Sequence, residues 1–197
     1  MWRPSAYASE ALLLLYALCW GLTLTCSCLL VSIAPLAAVA RGAPAGLAPF
    51  TCGAFLLGAA LVSLPSASLF VRLGRLPTFA LGAAAGMGGG ALGLAAFKWE
   101  LPPAALFVAC ALVGLAQGMG QFYRFAALEV VRPSRKPLAV TLVLSGGVIA
   151  AFAGPQLAIA TGGHGGDGGF GKHGGGDDES FEASFVAMIA LHALNAI

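Results

Sequence analysis

Charge is what this sequence has least of. Only 9% of its 197 residues are Asp, Glu, Lys or Arg, against about 25% in an average soluble domain. A water-soluble α/β domain or β-sandwich is excluded, because there is too little polar surface to cover one. With 59% hydrophobic residues and a mean hydropathy of +0.90, the composition is that of an integral membrane protein. The motifs of intramembrane enzymes are also missing. There is no Gly-x-Ser-Gly nucleophile, no His-Glu-x-x-His zinc helix and no pair of aspartates within an apolar run, so catalysis is not expected. Channel filter sequences and the Asn-Pro-Ala pair of water channels are absent as well. No cofactor, metal or nucleic acid is expected as a partner. The five cysteines, Cys19, Cys26, Cys28, Cys52 and Cys110, all fall inside apolar runs, where thiols pack as small hydrophobes. Cys26 and Cys28 have no second pair or neighbouring histidine to complete a metal site.

What the chain has in quantity is apolar sequence cut into bilayer-length pieces. Ala11–Ile33 is unbroken and long enough to cross about 30 Å of hydrocarbon as a helix. Ala38-Val-Ala40 resembles a signal-peptidase site, but the core before it is too long for a signal peptide, so this span is expected to be retained. Tyr16, Trp20, Thr23 and Ser27 share one face of it. The hydroxyls either look into a cavity or bond back to their own helix. Pro35 to Pro49, with Arg41, Gly42 and Pro44, is expected to form the first turn. A second span, Phe50 to Phe70, contains Pro65, which permits a bend. Val71 to Pro77 is a short basic hairpin, and a third span, Thr78 to Phe97, follows.

In that third span Gly82, Gly86 and Gly90 recur every fourth residue, with Gly89 and Gly93 beside them. A ridge without side chains lets another backbone come close. Lys98 to Pro103 makes the third turn and places Trp99 where an interface would hold it. The fourth span, Ala104 to about Ala127, carries Gly114, Gln117, Gln121 and Arg124 at helical spacing. Lipid would not tolerate that polar stripe, and a guanidinium near the bilayer centre costs several kcal/mol. Arg124 is therefore expected either to contact a solute or to snorkel to the interface. After the basic turn Arg132–Pro137, a fifth span, Leu138 to Ala160, repeats small residues at Gly146, Ala150 and Gly154 and then kinks at Pro155.

Residues 1–160 thus make five spans, 161–180 a flexible glycine-rich connector outside the membrane, and 181–197 an incomplete sixth span. His164, Asp167, Lys172 and His173 in the connector invite a metal, but disordered glycine would lose much entropy in fixing any geometry. His192 and Asn195 share a face of the last segment, suited to a helix-to-helix hydrogen bond or to proton handling. Of the ten basic residues, Arg3, Arg72, Arg75, Arg124, Arg132, Arg135 and Lys136 fall on the N-terminal side, and Arg41, Lys98 and Lys172 on the other. The positive-inside rule then puts the N-terminus in the cytoplasm of a plasma or bacterial inner membrane.

The turn Ala67-Ser-Leu-Phe-Val-Arg-Leu-Gly-Arg-Leu76 resembles the Gly-x-x-x-Asp-Arg-x-Gly-Arg-Arg loop of the major facilitator superfamily. Arg72, Gly74 and Arg75 match, while Ala67, Val71 and Leu76 depart from the pattern. Gly154-Pro155 is similar to the antiporter-type Gly-x-x-x-Gly-Pro signature, with Ala150 at the first glycine. Gln121 to Glu129 resembles a bacterial branch of the superfamily described only as permeases. The resemblance implies an all-α integral membrane protein, six transmembrane helices forming the N-terminal half bundle of a superfamily transporter, truncated where the helix ends at Ile197. It implies Arg72, Gly74 and Arg75 as the gating loop, without the charge role of the aspartate that Val71 replaces.

The leading expectation is a secondary active transporter moving a small organic solute by alternating access, proton-coupled or facilitative. Its substrate cavity candidates are Gln117, Gln121, Arg124, Tyr16, Trp20, Thr23 and Ser27. Its packing and kink positions are Gly82, Gly86, Gly90, Gly146, Gly154 and Pro155. The alternative is a non-transporting six-span protein, an assembly partner or an inactive transporter fragment. Expected partners are the bilayer, a small-molecule substrate and a second six-helix half, from the same chain continued or from a dimer.

Overall fold

The computed structural model of the chain describes residues 6–161 and 177–196. Among them every regular element is a helix: α1 (Ala6–Ala40), α2 (Phe50–Leu73), α3 (Arg75–Lys98), α4 (Ala104–Gly120), α5 (Tyr123–Val130), α6 (Lys136–Thr161) and α7 (Asp177–Asn195). Five rods are long and apolar enough to cross a membrane, α4 and α5 counting together as one, Ala104–Val130. In α7 the apolar stretch is the shorter Phe181–Asn195, so a full sixth span is not seen among the described residues. His164, Asp167, Lys172 and His173 lie outside the described residues, with most of the expected connector.

Apart from α3 and α4, the helices pack most broadly on partners that are not their chain neighbours. The broad contacts are α1 with α6, α2 with α4, and α3 with both α4 and α7. α1 and the α4–α5 rod form the middle of the bundle, with 56% of the most apolar window of each buried, against 22% for α2 and 28% for α6. The large apolar side chains left outward, such as Leu64 on α2 and Ile149 and Phe152 on α6, suit lipid or another apolar partner.

Two boundaries depart from the sequence expectation. The first turn does not begin at Pro35: α1 runs through that proline to Ala40. Ile33, Ala34, Ala37 and Ala38 are all buried against the core, and that packing carries the helix past the one backbone bond that proline removes. The hairpin expected over Val71–Pro77 shrinks to Gly74 alone, the single non-helical residue between α2 and α3. Gly74 has φ 87° and ψ 177°, a conformation open essentially to glycine only. Pro77 sits in the first turn of α3, where a missing N–H costs nothing.

What lets the rods approach is missing side chains. A Cβ at Gly58 would overlap the Ala111 carbonyl, and one at Gly114 would overlap the Phe55 carbonyl. Gly118 is similarly held against Ala59 and Val62. These three glycines make a mutual seam between α2 and α4. Gly146 and Gly154 of α6 meet backbone of α1 at Ala17 and Thr25, and Gly21 of α1 returns the contact at Gly146. On α3, Gly82 receives Met119, Gly86 the His192 ring, Gly90 Ile189 and Gly93 the Phe185 ring.

Gly114→Ala should therefore destabilise the protein by about 1–3 kcal/mol, the usual cost of overpacking. Gly53, which has nothing within 4 Å of a Cβ, is the control: Gly53→Ala should change stability by less than about 1 kcal/mol, in the stabilising direction. Thermal melting of the two variants in detergent measures the contrast, and equal melting temperatures would contradict the seam.

Candidate functional site

The buried polar groups gather where α1, α4, α5 and α7 meet. Thr23 of α1 donates to the Cys19 carbonyl at 2.9 Å, as a hydroxyl in a lipid-embedded helix commonly does. Its oxygen also accepts from Asn195 Nδ2 of α7 at 2.7 Å. Asn195 Oδ1 in turn accepts from the Tyr123 hydroxyl of α5 at 3.3 Å. One amide thus joins three helices. One turn along α1, Ser27 donates to Gln117 Oε1 of α4 at 2.8 Å, both groups being buried.

Around this chain lies an aromatic cluster. Tyr123 stacks on Phe79 of α3, with centroids 4.2 Å apart and planes at 15°. Tyr16 reaches Tyr123 at 6.3 Å, and Phe70 sits edge-on to Phe79 at 4.9 Å. The space lined by Thr23, Phe79, Tyr123, His192 and Asn195 leaves no volume for a water molecule. A separate open groove of about 300 Å³ runs along α1 and α6, lined by Ser27, Cys28, Val31, Ser32 and Pro155.

The residues singled out from sequence divide accordingly. Thr23, Ser27 and Gln117 are brought together in the buried polar centre. Trp20 is buried beside Gly147 of α6, its Nε1 without a partner, and Tyr16 is half-buried against Tyr123. Gln121 caps α4. There α-helical structure lapses for two residues, and α5 restarts at Tyr123. Beyond the break the Arg124 guanidinium lies over the Phe125 ring at 5.2 Å, with its Nε buried and unpartnered. Gly114 does not belong with the polar stripe, because it serves the α2 seam. Ser27 touches both the buried centre and the open groove.

In the turn between α2 and α3 Arg72 is exposed, while Arg75 forms an ion pair with Glu129 at the end of α5. A second, exposed pair, Arg135 with Glu10, ties the start of α6 to α1 at 3.4 Å. At the other end of the bundle Arg41 bonds the Leu101 carbonyl at 3.4 Å and lies over Phe97 at 5.8 Å. The five cysteines are free thiols. Among the described residues no three His, Cys, Asp or Glu side chains form a metal-holding group.

Tyr123 and Phe79 were not among the sequence candidates. Tyr123 stands 72 residues from its amide partner, and no local spacing connects them. The one available signal was that Tyr123 lies a single position from Arg124 in an otherwise apolar span.

No protein-family model matches the chain, and no solved structure matches it. The riboflavin transporter RfnT of Brucella anthropi is 37% identical to it over 111 residues, which is 54% of this chain and 27% of that protein. The chain therefore spans about a quarter of that relative's length in the matched region. The match supports a transporter role, and with the apolar helices it points to a multi-pass membrane protein.

Removing the donor of the Ser27–Gln117 bond should leave a buried amide oxygen unsatisfied. Ser27→Ala is expected to cost about 0.5–1.5 kcal/mol, read as a lowered melting temperature in detergent. The double variant Ser27→Ala/Gln117→Leu should recover part of the loss. A single variant as stable as the parent would show that the bond is not made in the membrane.

Proposed function

We propose that this chain is the N-terminal six-helix part of a major-facilitator-type permease that moves a flat, polar heteroaromatic solute of the riboflavin kind. The observation that carries the reading is the 37% identity over 111 residues with a protein named as a riboflavin transporter. The arrangement of the bundle agrees with it. Glycine seams leave helix pairs in smooth contact, so one rod can shift against another without unlocking interdigitated side chains. The solute meets this bundle along the open α1–α6 face, at the groove lined by Ser27, Cys28, Val31, Ser32 and Pro155. Transport proceeds by alternating access, with the N-terminus, Arg72, Arg75 and the Arg132–Lys136 turn on the cytoplasmic side.

Arg75 and Glu129 join the start of α3 to the end of α5 on that side. The pair is partly exposed, at 37% and 66%, so its contribution to stability is small. Its value in the permease is as a latch between two rods.

The direct test is uptake of labelled riboflavin by cells or vesicles carrying the chain together with a second six-helix half. Uptake above the empty-membrane background, competed by unlabelled riboflavin, is the expected result, and background uptake from properly inserted protein removes the reading. For the latch, Arg75→Glu and Glu129→Arg should each reduce uptake, and the charge-swapped double variant should restore much of it. Additive losses in the double variant would show that the two side chains do not act together.

A further inference from the structure

His192 is the buried titratable group that the packing leaves unused. It is 1% exposed, and neither ring nitrogen has a hydrogen-bond partner among the described residues. Three residues along the same helix, and so on the same face, Asn195 is bonded at both ends of its amide. The ring is also specifically housed. A Cβ at Gly86 of α3 would collide with three of its atoms, so this glycine creates the niche the imidazole fills. An unsatisfied polar group buried in this way is destabilising, where a leucine in the same place would not be.

We propose that His192 is a proton-binding site, and that its protonation exchanges the hydrogen bond by which α5 holds α7. In the neutral ring both nitrogens stand idle, and Asn195 Oδ1 accepts from Tyr123 over 3.3 Å, the longest link in the chain from Tyr123 to Cys19. A proton arriving from water adds to a ring nitrogen lone pair and gives an imidazolium with two N–H donors and no acceptor. That cation donates to Asn195 Oδ1, and Tyr123 is released. When the proton returns to water, the neutral ring withdraws and the Tyr123 bond re-forms.

The surroundings make the imidazole the one group suited to this exchange. No Asp, Glu, Lys or Arg lines the space around it among the described residues. Of the titratable groups on the packed elements, the Tyr123 phenol of α5 lines the same space, the Cys26 thiol of α1 meets the Met188 carbonyl and the Cys110 thiol of α4 lies in the apolar cluster that also holds Met188, while Glu10, Tyr16, Cys19 and Cys28 of α1, Arg75 and Lys98 of α3 and Glu129 of α5 do not line it. α3 presents glycines, Ala83 and Phe79 there. α6 meets α7 at Thr161 and Ser184 and brings no ionisable group to that contact. On α5 the Arg124 guanidinium lies over Phe125, and on α7 itself Glu182 lies ten positions before the ring. An imidazolium here would have no counter-charge, so the protonated and neutral rings favour different packings of α7.

That a proton gradient drives solute movement through this exchange rests on the permease reading. The proton site itself does not, and the two are tested separately. The full chain has three histidines, so His164→Gln/His173→Gln leaves His192 as the sole imidazole. Nuclear magnetic resonance of that protein with labelled histidine and tyrosine, in lipid nanodiscs between about pH 4 and about pH 9, should show one imidazole whose signals shift with pH together with those of the Tyr123 ring. An imidazole that never titrates, or that titrates with Tyr123 unmoved, overturns the proposal. Where riboflavin uptake is present, it should vary with external pH in the parent, and His192→Gln should abolish that variation. A His192→Gln profile parallel to the parent's excludes His192 as the coupling group. If the parent moves no riboflavin, the permease reading fails and the titration still decides the proton site.

Discussion

Backbone touching backbone is the contact on which the rest of this bundle depends. Between helices in lipid there is no hydrophobic driving force, because acyl chains are as apolar as leucine. What remains is dispersion at close range and the occasional hydrogen bond. Both improve steeply when the rods come nearer, and only residues without side chains allow it. Gly58 and Gly114 place α2 and α4 carbonyl against Cα, and Gly21 with Gly146 does the same for α1 and α6. From those two seams the position of the central rods follows: α4 is drawn to α2 on one side and α1 to α6 on another, leaving α1 to meet α4 and α7, and α4 to meet α3.

The polar centre is a consequence of that approach. Ser27 and Gln117 are short and medium side chains on different helices, and 2.8 Å between them is reachable only because the rods around them are so near. The same holds for Asn195, which spans from Thr23 to Tyr123. Such bonds average well under 1 kcal/mol in membrane proteins, because the separated helices also find partners. They add less to stability than the seams do. What they fix is rotation and register, since a turned α7 would leave its amide without either neighbour.

Much of this was legible in the residues, and the part that was not has an identifiable cause. Span positions follow from apolar length, so the observed rods begin and end near the expected ones except at Pro35 and Gly74. There the sequence signal was local and the deciding force was tertiary: burial of Ala34, Ala37 and Ala38 outweighs a proline. The glycine repeats on α3 and α6 were visible because they recur every fourth residue. Gly58 has Gly53 as its nearest glycine before it, five positions away, and gave no such repeat, although its contact is among the tightest. Periodicity reports which residues share a face and is silent about what the face meets. For that reason Gly114 joined Gln117 in the sequence reading, while in the bundle one faces α2 and the other α1. Asn195 could be recognised as a helix-to-helix donor, yet nothing near it named Tyr123.

α7 shows how these forces divide within one element. Its apolar stretch Phe181–Asn195, at about 1.5 Å per residue, falls well short of the roughly 30 Å of hydrocarbon that a full span matches. Lipid fit alone would hold it weakly. Instead it is pinned near one end by Ser184 on Thr161 at 2.6 Å and at the other by Asn195. Between the pins Phe181 and Phe185 pack on Phe97, and Gly90 and Gly93 admit the side chains of Ile189 and Phe185. The first pin joins two hydroxyls and has no titratable member. The second stands one turn from an imidazole with no hydrogen bonds of its own among the described residues, so the two ends of the helix differ in kind: one is fixed by chemistry that does not change with conditions, and the other is held beside a group able to take its place.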